Sequence, residues 1–438
     1  MKKISLLFIA IVMQSGMVCG QSVVRTALVE DLSGYACGIF RSWGSTKALA
    51  YHEHGGEYLF SVIDSASLNV YSAKVPEFYR IRDFRIVGDT AYCGGASHDT
   101  AMLAYFNIRD IINGGPINFH VSPIDKLQMI TRLVAYRNRF MNGVGIAAIG
   151  EEVQESQQGL YSISGSYMVW CDNFSSGIFH VEIEECDNSW DLTTPSEKLN
   201  DVVVTANYVA FVGIYTNTNT KTIRRGDWNG IFSNSLIDTV HQFQCIEGVS
   251  TSLPIAEPLD RDTIAIAIDL EDYWGDQVAQ VRLIDISSMA MTNAQQTTLG
   301  GMDKCALIEM IYMKNRRKLL LAVESSTGDR IIYVEPMASV PYSAKTLAPA
   351  TGDMICSMDR HNENYYILST LKHWMLQRMG NMPASNSCVT QDQQAFYILT
   401  VCIDRPKEYS DMRYGRSFTL RKLNPMNFHN SIYCSNIL

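Results

Sequence analysis

Asp83-Phe84-Arg85-Ile86-Val87 runs into Gly88-Asp89, then Ala91-Tyr92-Cys93, then Met102-Leu103-Ala104-Tyr105-Phe106. An apolar strand, a tight polar turn, a second strand and a third strand follow one another without room for a helix. Gly-Asp between β-branched and aromatic residues is a hairpin signal, because glycine supplies the positive φ such turns need.

The same order recurs along the chain. Ala48 to Tyr51 leads to Gly55-Gly56 and Tyr58-Leu59-Phe60, and Leu133 to Tyr136 leads to Asn138-Arg139 and Phe140-Met141. Val202-Val203-Val204 leads to Ala206-Asn207 and Tyr208 to Phe211; Met310 to Met313 leads to Asn315-Arg316 and Leu319-Leu320-Leu321. Met354 to Cys356 leads to Asn362, Asn364 and Tyr365-Tyr366-Ile367. Val389 leads to Gln391-Asp392 and Phe396-Tyr397-Ile398. Thr263 to Ile268 fills the remaining gap.

Copies spaced about every 48 residues suit four-stranded propeller blades. Strands such as Ile264-Ala265-Ile266-Ala267-Ile268 are apolar on both faces, which fits sheets buried between neighbours. The expectation is an all-β chain, a β-propeller of seven or eight four-stranded blades, with an irregular double β-sandwich as the alternative. Eight units are counted, and seven is equally defensible because the copies near 390 and near 174–199 are poorly defined. Thr370 to Met379 is the one stretch with a helical period.

The chain starts with Lys2-Lys3, an apolar run from Ile4 to Met13 and a polar Gln14-Ser15-Gly16. The run is too short to span a bilayer and reads as a secretory leader, with cleavage after Gly20. Residues 1–20 are therefore expected to be a signal peptide and 21–438 a single propeller domain in the periplasm, on the cell surface or secreted. Lipidation at Cys19 competes with this reading, but Val18 stands where that chemistry wants a small residue. No other apolar stretch is long enough for a transmembrane segment.

Without the leader the chain has 34 Lys and Arg against 45 Asp and Glu, a net charge of −11. An acidic chain with no basic stripe argues against nucleic acid as a partner. Loss of Cys19 leaves ten of the 11 cysteines, an even number that permits disulfides; Cys171 and Cys186 are the nearest pair within one unit. Burial as small apolar side chains accounts equally well for them.

At the level of rhythm, the copies Asp83 to Gly94 and Leu199 to Gly213 resemble blades of uncharacterised exported β-propeller proteins of Gram-negative bacteria. The resemblance implies fold and compartment and assigns no catalytic residue. Trp-Asp signatures and paired-glycine kelch patterns are missing.

Chemistry is sparse. Neither Gly-x-Ser-x-Gly, His-Glu-x-x-His nor a Walker loop occurs, and Gly143-Val144-Gly145 with Gly150 has the wrong spacing for a dinucleotide loop. His52 and His54 lie two apart before a tight turn, so on a strand both imidazoles share a face and suit one metal ion. Asp269, Glu271, Asp272 and Asp276 surround Tyr273 and Trp274. Hard oxygens at that density suit calcium, and carboxylates beside aromatics suit sugar binding or glycosidic chemistry. A solvated loop explains the same residues. Arg225-Gly226-Asp227 is the tripeptide of some adhesion ligands and equally a turn sequence. Asn173-Phe174-Ser175 fits a glycan acceptor. Lys314, Arg316, Arg317 and Lys318 read as a solvated hairpin tip.

Three functions remain: a ligand-binding or adhesion scaffold with a glycan or protein ligand, a carbohydrate-active enzyme using the acidic and aromatic loop, and a structural subunit of an envelope assembly.

Overall fold

The computed structural model describes residues 25–29, 39–44, 47–54, 57–64, 69–98, 100–138, 143–155, 161–171, 174, 182–185, 197–215, 220–227, 240–243, 254–271, 277–291, 295–298, 305–314, 317–325, 330–334, 345–347, 354–361, 364–370, 373–379, 397–403 and 416–421. Among them the strands form seven sheets, antiparallel throughout except where Arg25–Val29 runs parallel to Tyr397–Ile403 in the seventh. In six of these sheets the strands follow chain order, innermost first, and each sheet is one blade of a β-propeller.

The innermost strands are Ile39–Trp43, Tyr79–Val87, Met129–Asn138, Glu197–Val204, Ile255–Pro258, Cys305–Met313 and Met354–His361. Each touches the innermost strand of the blade before it and of the blade after it, and the seventh touches the first. The ring is closed. Blade 7 holds both ends of the described chain: Arg25–Val29 pairs with Arg416–Arg421 and Tyr397–Ile403. A strand from the start of the chain thus fastens the last sheet.

The core lies between sheets. Leu49, Phe60 and Val62 of blade 1 pack with Phe84, Met102 and Phe106 of blade 2. Blade 2 meets blade 3 through Leu103, Leu133 and Ile146, and blade 3 meets blade 4 through Ile149, Met168 and Phe211. In blade 5, Ile264, Ile266 and Ile268 face blade 4 while Ala265 and Ala267 face blade 6. A strand has two faces, and here both are covered by neighbours, which is why its sequence does not alternate between apolar and polar.

The ring has seven blades, one of the two expected counts. The stretch near 390 does not open a new blade: Tyr397–Ile403 pairs with His373–Met379 inside the seventh sheet. The described residues of the stretch Thr370 to Met379 are strand, not helix. His373–Met379 is hydrogen-bonded on both sides, and that pairing outweighs its local period. The copy at Ala48 to Phe60 is displaced by one strand, since Lys47–His54 and Glu57–Asp64 are the second and third strands of blade 1. Cys171 is buried in the core between blades 2 and 3, and Cys186 lies outside the described residues. One short helix, α1 (Ile108–Ile112), links the third and fourth strands of blade 2, capped by Asn107 accepting from the Arg109 N–H.

Candidate functional site

Alternating strand directions divide the connections between two ends of the ring. Inter-blade links and hairpins between second and third strands lie where the innermost strands begin, the leading end. Turns between first and second strands lie at the trailing end.

Five innermost strands carry a register irregularity at one level: between Ile81 and Asp83, Ile130 and Arg132, Leu199 and Asp201, Leu307 and Glu309, and Ile355 and Ser357. A bulge re-aims the residues around it. In blades 2, 3, 4 and 6 the residue after the bulge is charged. Gly95, Gly150 and Gly213 sit opposite the residue before it, paired with Ile81, Ile130 and Leu199. A Cβ on Gly95 would lie 1.9 Å from the Arg80 carbonyl oxygen. That close approach is what glycine permits.

The bulge-level charges form one network about the axis. Arg41 (4% exposed) bonds Asp83 (0% exposed) at 2.8 Å and Glu309 at 3.5 Å. Its Nε donates to the Phe84 carbonyl at 3.1 Å. Arg85 lies 3.6 Å from Asp83. The half-buried Arg132 sits in the field of Asp201, Asp83 and Glu309.

These carboxylates also hold the ring. Asp83 accepts the Leu133 N–H of blade 3 at 3.2 Å, and Asp201 accepts the Ala256 N–H of blade 5 at 2.9 Å. Glu257 accepts the Tyr312 N–H of blade 6 at 3.0 Å, and Asp359 accepts the Ser42 N–H of blade 1 at 2.5 Å. Innermost strands are sheet edges with unpaired donors. In four of the seven junctions an acid from the preceding blade answers one such donor.

Burial pushes the Asp83 carboxyl up, but Arg85, Arg41 and Arg132 with the Leu133 N–H outweigh it and hold it below the ordinary value. For Asp201 burial wins over Arg132, the Ala256 N–H and Arg85, and its carboxyl titrates higher than usual. Two equivalent acids are thus pushed apart by the number of guanidinium groups beside them.

At the trailing end, turns of neighbouring blades are bonded together. Trp43 Nε1 donates to the Gly88 carbonyl at 3.0 Å. Asp262 accepts from Thr205 Oγ1 at 3.0 Å and from Asn207 Nδ2 at 2.7 Å, and Lys314 meets Asp260 at 2.8 Å.

Arg225, Gly226 and Asp227 close the strand Thr220–Asp227 at this same end. Arg225 donates to the Ile286 and Ser287 carbonyls at 2.6 Å each and lies over the Tyr208 ring, and Gly226 is buried. His52 and His54 are on the strand Lys47–His54, where His54 faces Glu57 across the leading-end hairpin; their side chains lie outside the described residues. Asp269 is buried at 8% exposure, and Glu271 pairs with Gln277 where the blade 5 hairpin reaches the leading end. Asp272, Tyr273, Trp274 and Asp276 lie outside the described residues. The strand ends His54 and Glu271 therefore lie at one end of the ring, while Arg225 lies at the other. Among the described residues no three His, Cys, Asp or Glu side chains are grouped to hold a metal ion.

Sequence reading missed the bulge-level acids and their glycines. The signal was present as Ile81-Arg82-Asp83, Ile130-Thr131-Arg132 and Leu199-Asn200-Asp201, an apolar residue two before a charged one.

No protein family matches the sequence, and no curated protein does. Similar solved structures exist. The Dos1 propeller superposes with a TM-score of 0.50 at 12% identity, over 91% of this chain and 95% of that one. An acylaminoacyl peptidase of Pyrococcus horikoshii gives 0.49 at 8% identity, over 90% of this chain but 63% of that one. A protein from Lactobacillus plantarum gives 0.48 at 8% identity, over 84% and 96%. The likeness is one of fold: the chain is a β-propeller. Among the described residues no helix is long and apolar enough to cross a membrane.

Proposed function

We propose that this chain is an exported binding scaffold whose leading end recognises its ligand. The observation that carries the reading is an asymmetry. Trailing-end turns are committed to one another through Trp43, Asp262, Arg225 and Lys314. At the leading end lie the strand ends His54 and Glu271, and residues 272–276 connect Glu271 to its partner Gln277 in the chain. The axial acids Asp83, Asp201, Glu257 and Asp359 are occupied in joining blades. Recognition on loops held by a rigid frame is the common use of such architecture. The leader-like residues 1–20 and the resemblance to exported propellers support the compartment.

The test is a glycan and protein array probed with the purified protein and with a variant carrying Gly-Ser in place of residues 272–276. Binding by the wild type that the variant loses supports the reading. A ligand held equally by both proteins and displaced by changes at the Asp260 turn would move recognition to the trailing end and sink it. Export is tested separately, by fractionating cells that express the full chain: retention of residues 1–20 in the cytoplasm would refute it.

A further inference from the structure

Phe78 is 44% exposed, the one large apolar side chain so exposed among the described residues. It precedes the innermost strand of blade 2 and therefore stands at the leading end. Its ring stacks on His98 with centroids 5.2 Å apart and planes 9° from parallel. The His98 N–H donates to the Phe78 carbonyl at 3.0 Å. Tyr79 meets the Phe78 ring edge-on at 4.4 Å.

His98 has φ 52°, in the left-handed region that costs a side-chain-bearing residue energy unless its surroundings hold it there. The turn is kept in that conformation, and the result is an exposed aromatic pair with little freedom left. A rigid ring loses less entropy on binding than a mobile one.

The chemistry of the surroundings selects the occupant. One ring is far smaller than the about 800 Å² per partner that a stable protein interface covers. Its stacking partner His98 and its chain neighbours Glu77 and Arg80 are exposed and carry donors and acceptors. A ligand with one apolar face the size of a ring and a rim of hydroxyls fits this arrangement. The axial C–H groups of a pyranose meet the negative face of an aromatic ring, and its hydroxyls suit those donors and acceptors.

We infer that Phe78 and His98 form a sugar-stacking subsite at the leading end. The inference rests on the proposed scaffold reading and narrows its ligand to a glycan.

The purified protein is examined by saturation-transfer NMR against hexasaccharides of β-1,4-glucose, β-1,4-N-acetylglucosamine, β-1,4-mannose and α-1,4-galacturonate. The expected result is transfer to at least one of them. Phe78→Ala should weaken that binding about tenfold or more, as loss of an aromatic anchor does, while Phe78→Trp retains it. Phe78 is exposed, so unchanged thermal melting of Phe78→Ala is the check that the fold survives. Two results overturn the inference: no transfer from any of the four probes, or equal binding by wild type and Phe78→Ala. The second leaves the scaffold reading standing with its ligand elsewhere; after the first, the protein half of the array decides that reading independently.

Discussion

Arg41 and Asp83 meet at 2.8 Å with almost no solvent reaching either side chain, and the contact joins the innermost strands of blades 1 and 2. Arg41 extends beyond blade 7 to Glu309 of blade 6, so one guanidinium links three blades' worth of wall. Burial lowers its basicity, but Asp83, Glu309 and Asp359 more than compensate and leave it more strongly protonated than usual.

Removing one partner of such a pair strands the other in the protein interior. Asp83→Ala leaves Arg41 without its closest anion and the Leu133 and Phe84 N–H groups without an acceptor. The expected loss is about 3–5 kcal/mol in urea unfolding. A loss below about 1 kcal/mol would mean that water replaces the carboxylate and that the staple is not structural.

The same acid gives a pH signature. Its carboxyl is held below the ordinary aspartate value of 3.8 in the folded chain. Its contribution is therefore complete above that value and disappears as pH falls through the lower folded one. Asp201, pushed the other way, favours proton uptake by the folded state and gains nothing from ionisation. Between pH 5 and pH 3 the urea midpoint of the wild type should fall further than that of Asp83→Asn. Parallel falls would remove Asp83 as the source.

Blade order was legible because hairpin turns and doubly apolar strands are local signals. Gly88-Asp89 between Val87 and Ala91 is the actual first turn of blade 2. The sequence leaves seven and eight blades open because Phe396-Tyr397-Ile398 looks like any other strand, and only the pairing of Tyr397–Ile403 with His373–Met379 assigns that strand to blade 7. The axial network was harder to see. Asp83 and Leu133 are 50 residues apart, and nothing near either announces the bond. Phe78 and His98 look like ordinary loop residues until the turn between them is folded.

The glycines opposite the bulges are testable one by one. A Cβ on Gly95 would strike the Arg80 carbonyl at 1.9 Å, and one on Gly213 the Lys198 carbonyl at 2.5 Å. Both obstacles are backbone, so the strands must separate. Gly95→Ala and Gly213→Ala should each cost about 1–3 kcal/mol. Gly115→Ala, whose nearest neighbour stands at 3.5 Å, should change stability little and serves as the control.

Phe60 tests where the core lies. It is fully buried on blade 1, with Phe84 of blade 2 edge-on at 5.4 Å and Phe106 at 4.9 Å. Phe60→Ala removes contacts across the blade junction and should cost about 3–5 kcal/mol in thermal or urea unfolding. Because the cluster is shared, the Phe60→Ala and Phe84→Ala losses should not add. Strict additivity would indicate two separate cores, one inside each sheet.

Cys93 reports on how this junction opens. Its thiol is free and buried on the second strand of blade 2. Burial, then the nearby Asp83 charge, pushes its pKa well above the ordinary value. The thiolate is the reactive form, so the folded protein should resist iodoacetamide at pH 8 while the urea-unfolded chain reacts readily. Labelling then proceeds only through opening of the blade 1 and blade 2 junction. Asp83→Ala should accelerate it, because lost staples raise the open population more than one removed charge changes the buried thiol. Peptide mass spectrometry of the Cys93 fragment over time separates the outcomes. Equal rates in wild type and Asp83→Ala would show that the junction opens without breaking the Arg41 and Asp83 contact.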